Sequence, residues 1–343
     1  MRPLPLAGFA LLGVLSACGE SQVTPGDGPA ADATEVGGGD MAVFIADQAI
    51  ALDLASAGDL LAAPDGATFP DPLQGIGQPT RVQGGFKFTE GPLWRASDGV
   101  LLFTDVQAAT IYQVRPGGMA TTFRLQSNGA NGLALDPEGQ LLACEHNSHR
   151  VSRTLKDGMV VMVVGMYMGS QFNSPNDIIV RRDGTIYFTD PDYAADAQNR
   201  QPFRGVFRVT PQGVLARFDD QFAYDKPNGI ALSPDDKTLY IADTGRGIVR
   251  SLPVNPDGTL GAGSQFAGAL VGPDGMAVDD AGNLYFATGS GIQVFDATGK
   301  ALGTIALPET PSNCTFGGAD RRTLYMTART GLYQVRLNVP GLP

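Results

Sequence analysis

GPDGMAVDDAGNLYFAT, residues 272–288, reads as two short apolar strands around a tight turn, with a carboxylate, Asp274, just ahead of the first strand. The turn residues Asp280, Ala281 and Gly282 tolerate the positive φ of a hairpin bend. The same phrase returns five more times: EGPLWRASDGVLLFTD from Glu90, NGLALDPEGQLLACE from Asn131, NDIIVRRDGTIYFTD from Asn176, NGIALSPDDKTLYIAD from Asn228 and NCTFGGADRRTLYMT from Asn313. The leading residues are 41, 45, 52, 46 and 39 positions apart. A period in the forties, made of short β-branched and aromatic runs broken by turn residues, is the signature of a propeller blade. The 263 residues from Arg81 onward divide into six units of about 44, against about 40–45 for a usual blade. Less regular runs such as IYQVRPGG, VSRTLKDG, GVFRVTPQG and IQVFDATG follow the hairpins and complete four-stranded sheets. The expected fold is all-β, a six-bladed β-propeller over residues 81–343, with RVQGGFKF (81–88) pairing with the C-terminal blade to close the ring.

Outside that repeat the chain changes character. Residues 1–17 combine Arg2, an apolar run too short to span a bilayer and small residues before Cys18, the pattern of an export signal. Leu15, Ser16, Ala17 and Cys18 resemble the bacterial lipobox, whose cysteine is lipidated, so the expected location is the bacterial cell envelope, with the protein lipid-anchored and facing the periplasm. Residues 18–40 hold almost no large apolar side chain and read as a flexible tether. Residues 41–80 read as a partly helical extension, through MAVFIADQAIALDLASAGDLLAA.

With 43% hydrophobic residues, 45 glycines and 24 prolines among 343, the chain is a turn-rich globular protein. Its formal charge is −11 and its basic residues form no run, which excludes nucleic acid as a partner. The expected contact with a membrane is through the lipid anchor alone, and the expected state is a monomer. Cys144 and Cys314 lie in apolar strand patterns without metal-knuckle spacing, so two buried thiols are expected.

In a propeller the first strand of every blade runs beside the axis, so the residues just before it converge at one mouth. Here they are Glu90, Asn131, Asn176, Asn228, Asp274 and Asn313. A lone Asn before Gly is an ordinary turn residue, but six oxygen-bearing residues in register, one of them a Glu, are not explained by turns. Carboxylate and amide oxygens suit a hard cation, Ca2+ first, with Zn2+, Mg2+ and Mn2+ as other occupants. The second-strand ends Asp105, Glu145, Asp190, Asp243, Thr288 and Thr327 are expected as a wider ring at the same mouth. Further polar groups come from CEHNSHR, with His146 and His149, and from TDPDYA, with Asp192 and Tyr193. No GxSxG elbow and no phosphate-cradling fingerprint is present. A cation with a free carboxylate beside it suits attack of water on a carbonyl, with Asp274 as the general base.

FTEGPLW, NGLALDPEG, CEHNSHRV, SPNDIIVRRDGTIYFTDP, PNGIALSPD, DGMAVDDAGNLY and NCTFGG resemble the senescence marker protein, gluconolactonase and luciferin-regenerating enzyme family, nearest its bacterial gluconolactonase branch. The resemblance implies a six-bladed propeller with a calcium-type ion on its axis that hydrolyses sugar lactones. It assigns metal binding to Glu90, Asn228 and Asp274, the last also acting as acid or base, and gives Asn176 to the metal shell or the substrate. Where the animal branch has a sugar-holding arginine this chain has Ser174, and His146 and Tyr193, with Asn131, are expected to hold the substrate in its place. The rival reading is a non-catalytic propeller, tethered to the envelope, that captures a ligand or partner.

Overall fold

The structure is a computed structural model that describes residues 68–193, 200–218 and 223–342. Six four-stranded antiparallel sheets are arranged as the blades of a β-propeller. The closing sheet takes its outermost strand, β1 (Thr80–Gly84), from the front of the repeat region. Blade 1 is β2 (Thr89–Arg95), β3 (Val100–Asp105), β4 (Thr110–Val114) and β5 (Thr121–Leu125). Blade 2 is β6 (Ala130–Leu135), β7 (Leu141–Glu145), β8 (Arg150–Thr154) and β9 (Val160–Val164), followed by the small hairpin β10 (Met166–Tyr167) and β11 (Ser170–Gln171). Blade 3 is β12 (Ile178–Val180), β13 (Ile186–Asp190), β14 (Gly205–Val209) and β15 (Leu215–Phe218). Blade 4 is β16 (Pro227–Leu232), β17 (Thr238–Asp243), β18 (Ile248–Pro253) and β19 (Ser264–Ala267). Blade 5 is β20 (Met276–Val278), β21 (Leu284–Thr288), β22 (Gly291–Phe295) and β23 (Ala301–Ile305). Blade 6 is β24 (Pro311–Gly317), β25 (Thr323–Ala328) and β26 (Gly331–Arg336), and β1 pairs with β26 from Thr80↔Gln334 to Gly84↔Gly331.

The second strand of each blade is buried along nearly its whole length, as in VLLFTD, IYFTD and LYFAT. Each sheet is covered on both faces by neighbouring blades, so these strands carry unbroken apolar runs rather than alternation. Outer strands such as β9 and β15 are only half-buried. Aromatic side chains fill the wedges between blades. Phe188 lies 5.1 Å from Phe172, edge to face, and 5.2 Å from Phe207, stacked. Across the closing seam Trp94 of blade 1 stacks on Tyr325 of blade 6 at 6.0 Å, a contact that contributes about 0.5–1.5 kcal/mol beyond its area.

The hairpin between first and second strands turns through Gly139 at φ 74° in blade 2, whereas blade 4 uses Asp236 at φ 58°, a conformation Asp tolerates better than most residues. Cys144 and Cys314 are free, buried thiols, as their sequence context predicts. The signal, Cys18, the tether and the helical stretch of residues 41–63 lie outside the described residues. No helix among the described residues is long and apolar enough to cross a membrane.

Candidate active site at the propeller axis

The six predicted axial residues are built into the chain by a shared local device. In β6 and β16 the ladder slips at the functional residue, Asn131 with Gly132 and Asn228 with Gly229, and in β2 it slips just after Glu90, at Gly91 and Pro92. Two residues of the first strand then stand against one of the second, a bulge that re-aims a side chain. Asn176 and Asp274 stand two residues ahead of β12 and β20, their N–H groups donating to the carbonyls of Thr189 and Ala287. The residue after each ring position is glycine in four blades because neighbouring backbones meet there. A Cβ on Gly91 would lie 2.0 Å from the Asn131 carbonyl oxygen, and one on Gly275 would lie 1.9 Å from the Cγ of Asn313.

The third and sixth blades break that glycine pattern, with opposite chemistry. Blade 6 has Cys314 there, and blade 3 has Asp177, a third axial carboxylate that the sequence reading missed. Asn313 Nδ2 donates toward Asp177 Oδ2 at 3.5 Å, and the N–H of Ile230 points at the same oxygen from 3.4 Å. Its sequence signal was an acid where the other repeats keep glycine or a small residue.

Glu90, Asp177 and Asp274 interact electrostatically with one another at the axis. Burial, then the charges of Asp274 and Asp177, raises the Glu90 carboxyl well above the usual range. Burial and the charge of Asp177 push Asp274 up to about 7, against the pull of the Asn228 amide. Burial takes Asp177 to about 6. Three carboxylates held together out of water are mutually unfavourable unless protonated or joined by a cation. Among the described residues no three His, Cys, Asp or Glu side chains form a metal cage by themselves, so amide oxygens must complete any shell. Asn131 Oδ1 is a buried acceptor without a partner. A hard, oxygen-seeking divalent ion fits this donor set, and a sulfur- or nitrogen-seeking one does not.

The side chains expected to hold substrate gather around this cluster. Asn131 Nδ2 lies 3.2 Å from His146 Nε2. Burial, with the charge of His149 second, lowers His146 to about 4, so at neutral pH its ring is uncharged and accepts this bond. His149 instead bonds the Asn173 carbonyl at 2.7 Å and fixes a loop. Asn228 Nδ2 donates to the Tyr193 hydroxyl and to Thr244 Oγ1, each at 3.0 Å. Ser174 is fully buried: its Oγ donates to the Pro191 carbonyl and accepts from the Tyr193 N–H, which seats Tyr193 over Asn228.

The wider ring is not a second ring of mouth-lining ligands. Asp105 accepts from the N–H groups of Lys87 and Phe88, Asp190 from those of Asn173 and Ser174, and Asp243 from those of Asp225 and Lys226. Each buried carboxylate thus clamps the segment that leads into Glu90, Asn176 or Asn228. Glu145 is taken up by Arg124, Arg150, Ser148 and Ser152, and Thr288 and Thr327 bond to nearby backbone or side-chain groups. Asp192 lies toward Arg204 at 3.9 Å. On the far side of the axial cluster an apolar channel of about 360 Å³ runs along the first strands from Asp177 and Asn313 to Arg182, Asp236 and Leu342. Neither Tyr193 nor His146 lines it.

A family model described as SMP-30/Gluconolactonase/LRE-like region matches residues 88–330. A gluconolactonase of Zymomonas mobilis is 31% identical over 289 residues, 74% of this chain and 80% of that protein. A gluconolactonase structure from Xanthomonas campestris superposes with a TM-score of 0.72 at 33% identity, covering 79% of this chain and 93% of that one. A regucalcin structure from Agrobacterium tumefaciens shares the fold with a TM-score of 0.68 at 18% identity, over 78% of this chain and 96% of that one. With its matched region spanning five blades and two strands of the sixth, this chain belongs to the SMP-30/gluconolactonase/LRE-like family.

Proposed function

We propose that the chain is a divalent-metal-dependent hydrolase that opens a sugar lactone, with Ca2+ as the ion and Glu90, Asn176, Asn228 and Asp274 as the residues that hold it. The observation that carries this reading is the axial gathering of Glu90, Asp177 and Asp274 with the amides of Asn228 and Asn313. The gluconolactonase relatives support the choice of lactone as substrate. A bound hard cation would supply polarisation of the lactone carbonyl.

The chain's own residues supply the rest. Burial and the charge of Asp177 hold the Asp274 carboxyl above the usual range, and a cation beside it would favour the ionised form in which it accepts a proton. The Asp274 carboxylate takes a proton from water as the water oxygen bonds the carbonyl carbon. The ring C–O bond then breaks, and the same proton goes to the departing alkoxide, leaving a hydroxy acid. Asn131 with His146, and Tyr193 with Asn228, hold the sugar hydroxyls. The clamps made by Asp105, Asp190 and Asp243 keep the mouth in register.

The test is acid release from gluconolactone after chelation and after calcium is restored. Chelation is expected to abolish turnover and calcium to return it, and Asp274→Asn to lower kcat by about 10²- to 10⁴-fold. Full activity in chelator, or in Asp274→Asn, overturns the mechanism. Binding of sugar lactone without hydrolysis of any ester would favour the ligand-capturing propeller. Residues 1–18 support a lipid-anchored envelope location, which mass analysis of the mature N-terminus checks.

A further inference from the structure

Nearly all the arginines of this acidic chain are tied to acidic side chains or carbonyls, as with Arg150 on Glu145 and Arg321 on Asp280. Two cations at the mouth are not. Arg329 sits on the turn between β25 and β26 at φ 45°, with its guanidinium 5.4 Å from the Phe88 ring centroid. Its carbonyl accepts the N–H of Thr89 at 2.8 Å, which places it against the residue before Glu90. Its charge also reaches Asp274. Lys226 stands two residues ahead of Asn228, with its ammonium 5.1 Å from the centroid of Tyr193, whose hydroxyl is bonded to Asn228. Neither cation has an ion-pair partner among the described residues. They flank the axis from opposite sides, one where blades 6 and 1 meet and the other where blades 3 and 4 meet.

A cation laid over an aromatic face keeps its direction and part of its desolvation, and remains free to bond an anion from its other side. A neutral sugar lactone offers it hydroxyl acceptors but no charge to pair with. Resting on the lactonase reading, we infer that Lys226 and Arg329 select lactones that carry a second, anionic group, a carboxylate on the sugar carbon remote from the lactone carbonyl. The carbonyl is presented to Asp274, and the remote carboxylate reaches one rim cation or the other.

The experiment compares kcat/KM for glucarolactone, which carries the carboxylate, and gluconolactone, which is neutral, in the calcium-loaded full chain and in Lys226→Gln and Arg329→Gln. Wild type is expected to prefer glucarolactone. At least one variant should reduce that preference by about 10- to 100-fold, the usual cost of a hydrogen bond to a charged group, through KM, and the preference should weaken with added salt. A wild type that prefers gluconolactone, or variants that lower both substrates equally, overturns the inference while leaving the lactonase reading intact. Hydrolysis of neither lactone overturns the lactonase reading and this inference with it.

Discussion

His146 shows how one half-buried side chain ties the site to the stability of the fold. Its ring is held near pKa 4 by burial, whereas in an unfolded chain it titrates near 6.5. Between those values the unfolded state binds more protons than the folded one. Stability is therefore intact above about pH 6.5 and lost as the pH falls toward 4, by an amount on the order of 3 kcal/mol. Urea unfolding at pH 7 and pH 4.5 should show this loss, and His146→Gln should make it smaller; an equal loss in both proteins would mean that other groups carry it. The pairing of His146 with Asn131 was within reach of the sequence, since CEHNSHR follows the second strand of the blade that Asn131 opens. Asp177 was not, because an acid directly after Asn176 reads as an ordinary turn pair until the other blades show that glycine is wanted there. The role of Ser174 was not legible either: a small hydroxyl in the position of an arginine gives no sign that it points inward to seat Tyr193.

At the scale of the strand, the repeated hairpin was legible because each blade repeats the same hydrophobic run, turn and bulge residues, and six copies together reveal a pattern that one would not. The direction of the strand-end carboxylates was not legible. A strand end fixes where Asp243 lies along the blade but leaves open whether its side chain faces the mouth or folds back on the incoming loop, and the fold-back satisfies two otherwise unpaired N–H groups. Removing that clamp by Asp243→Ala leaves the N–H groups of Asp225 and Lys226 without their acceptor, at about 1–3 kcal/mol for each group that stays buried. The expected outcome is a lower midpoint in urea together with a higher KM, because Asn228 is carried on the loosened segment. Unchanged KM with lowered stability would confine Asp243 to holding the fold.

For the whole molecule, the proposed cation site would also be a fastener. A ligand that binds the folded state alone stabilises it by about 2.7 kcal/mol at one hundred times its dissociation constant. Calcium should therefore raise Tm by several degrees, and the rise should disappear in Glu90→Gln, which removes one axial carboxylate; an equal rise in that variant would place the ion elsewhere. The propeller number and order were readable from spacing alone, and the structure adds what spacing cannot show, that Trp94 and Tyr325 stack across the seam where the last blade meets the first. That seam is closed by Thr80–Gly84 lying along Gly331–Arg336. Some 250 residues separate the partners, so the earliest strand of the propeller spends its synthesis beside no sheet at all. Until β26 emerges, β25 has no neighbour to cover its outer edge and β1 has none to join; a ribosome stalled before residue 331 releases a fan of blades with an open side, and open sheet edges are what draw chains together into aggregates.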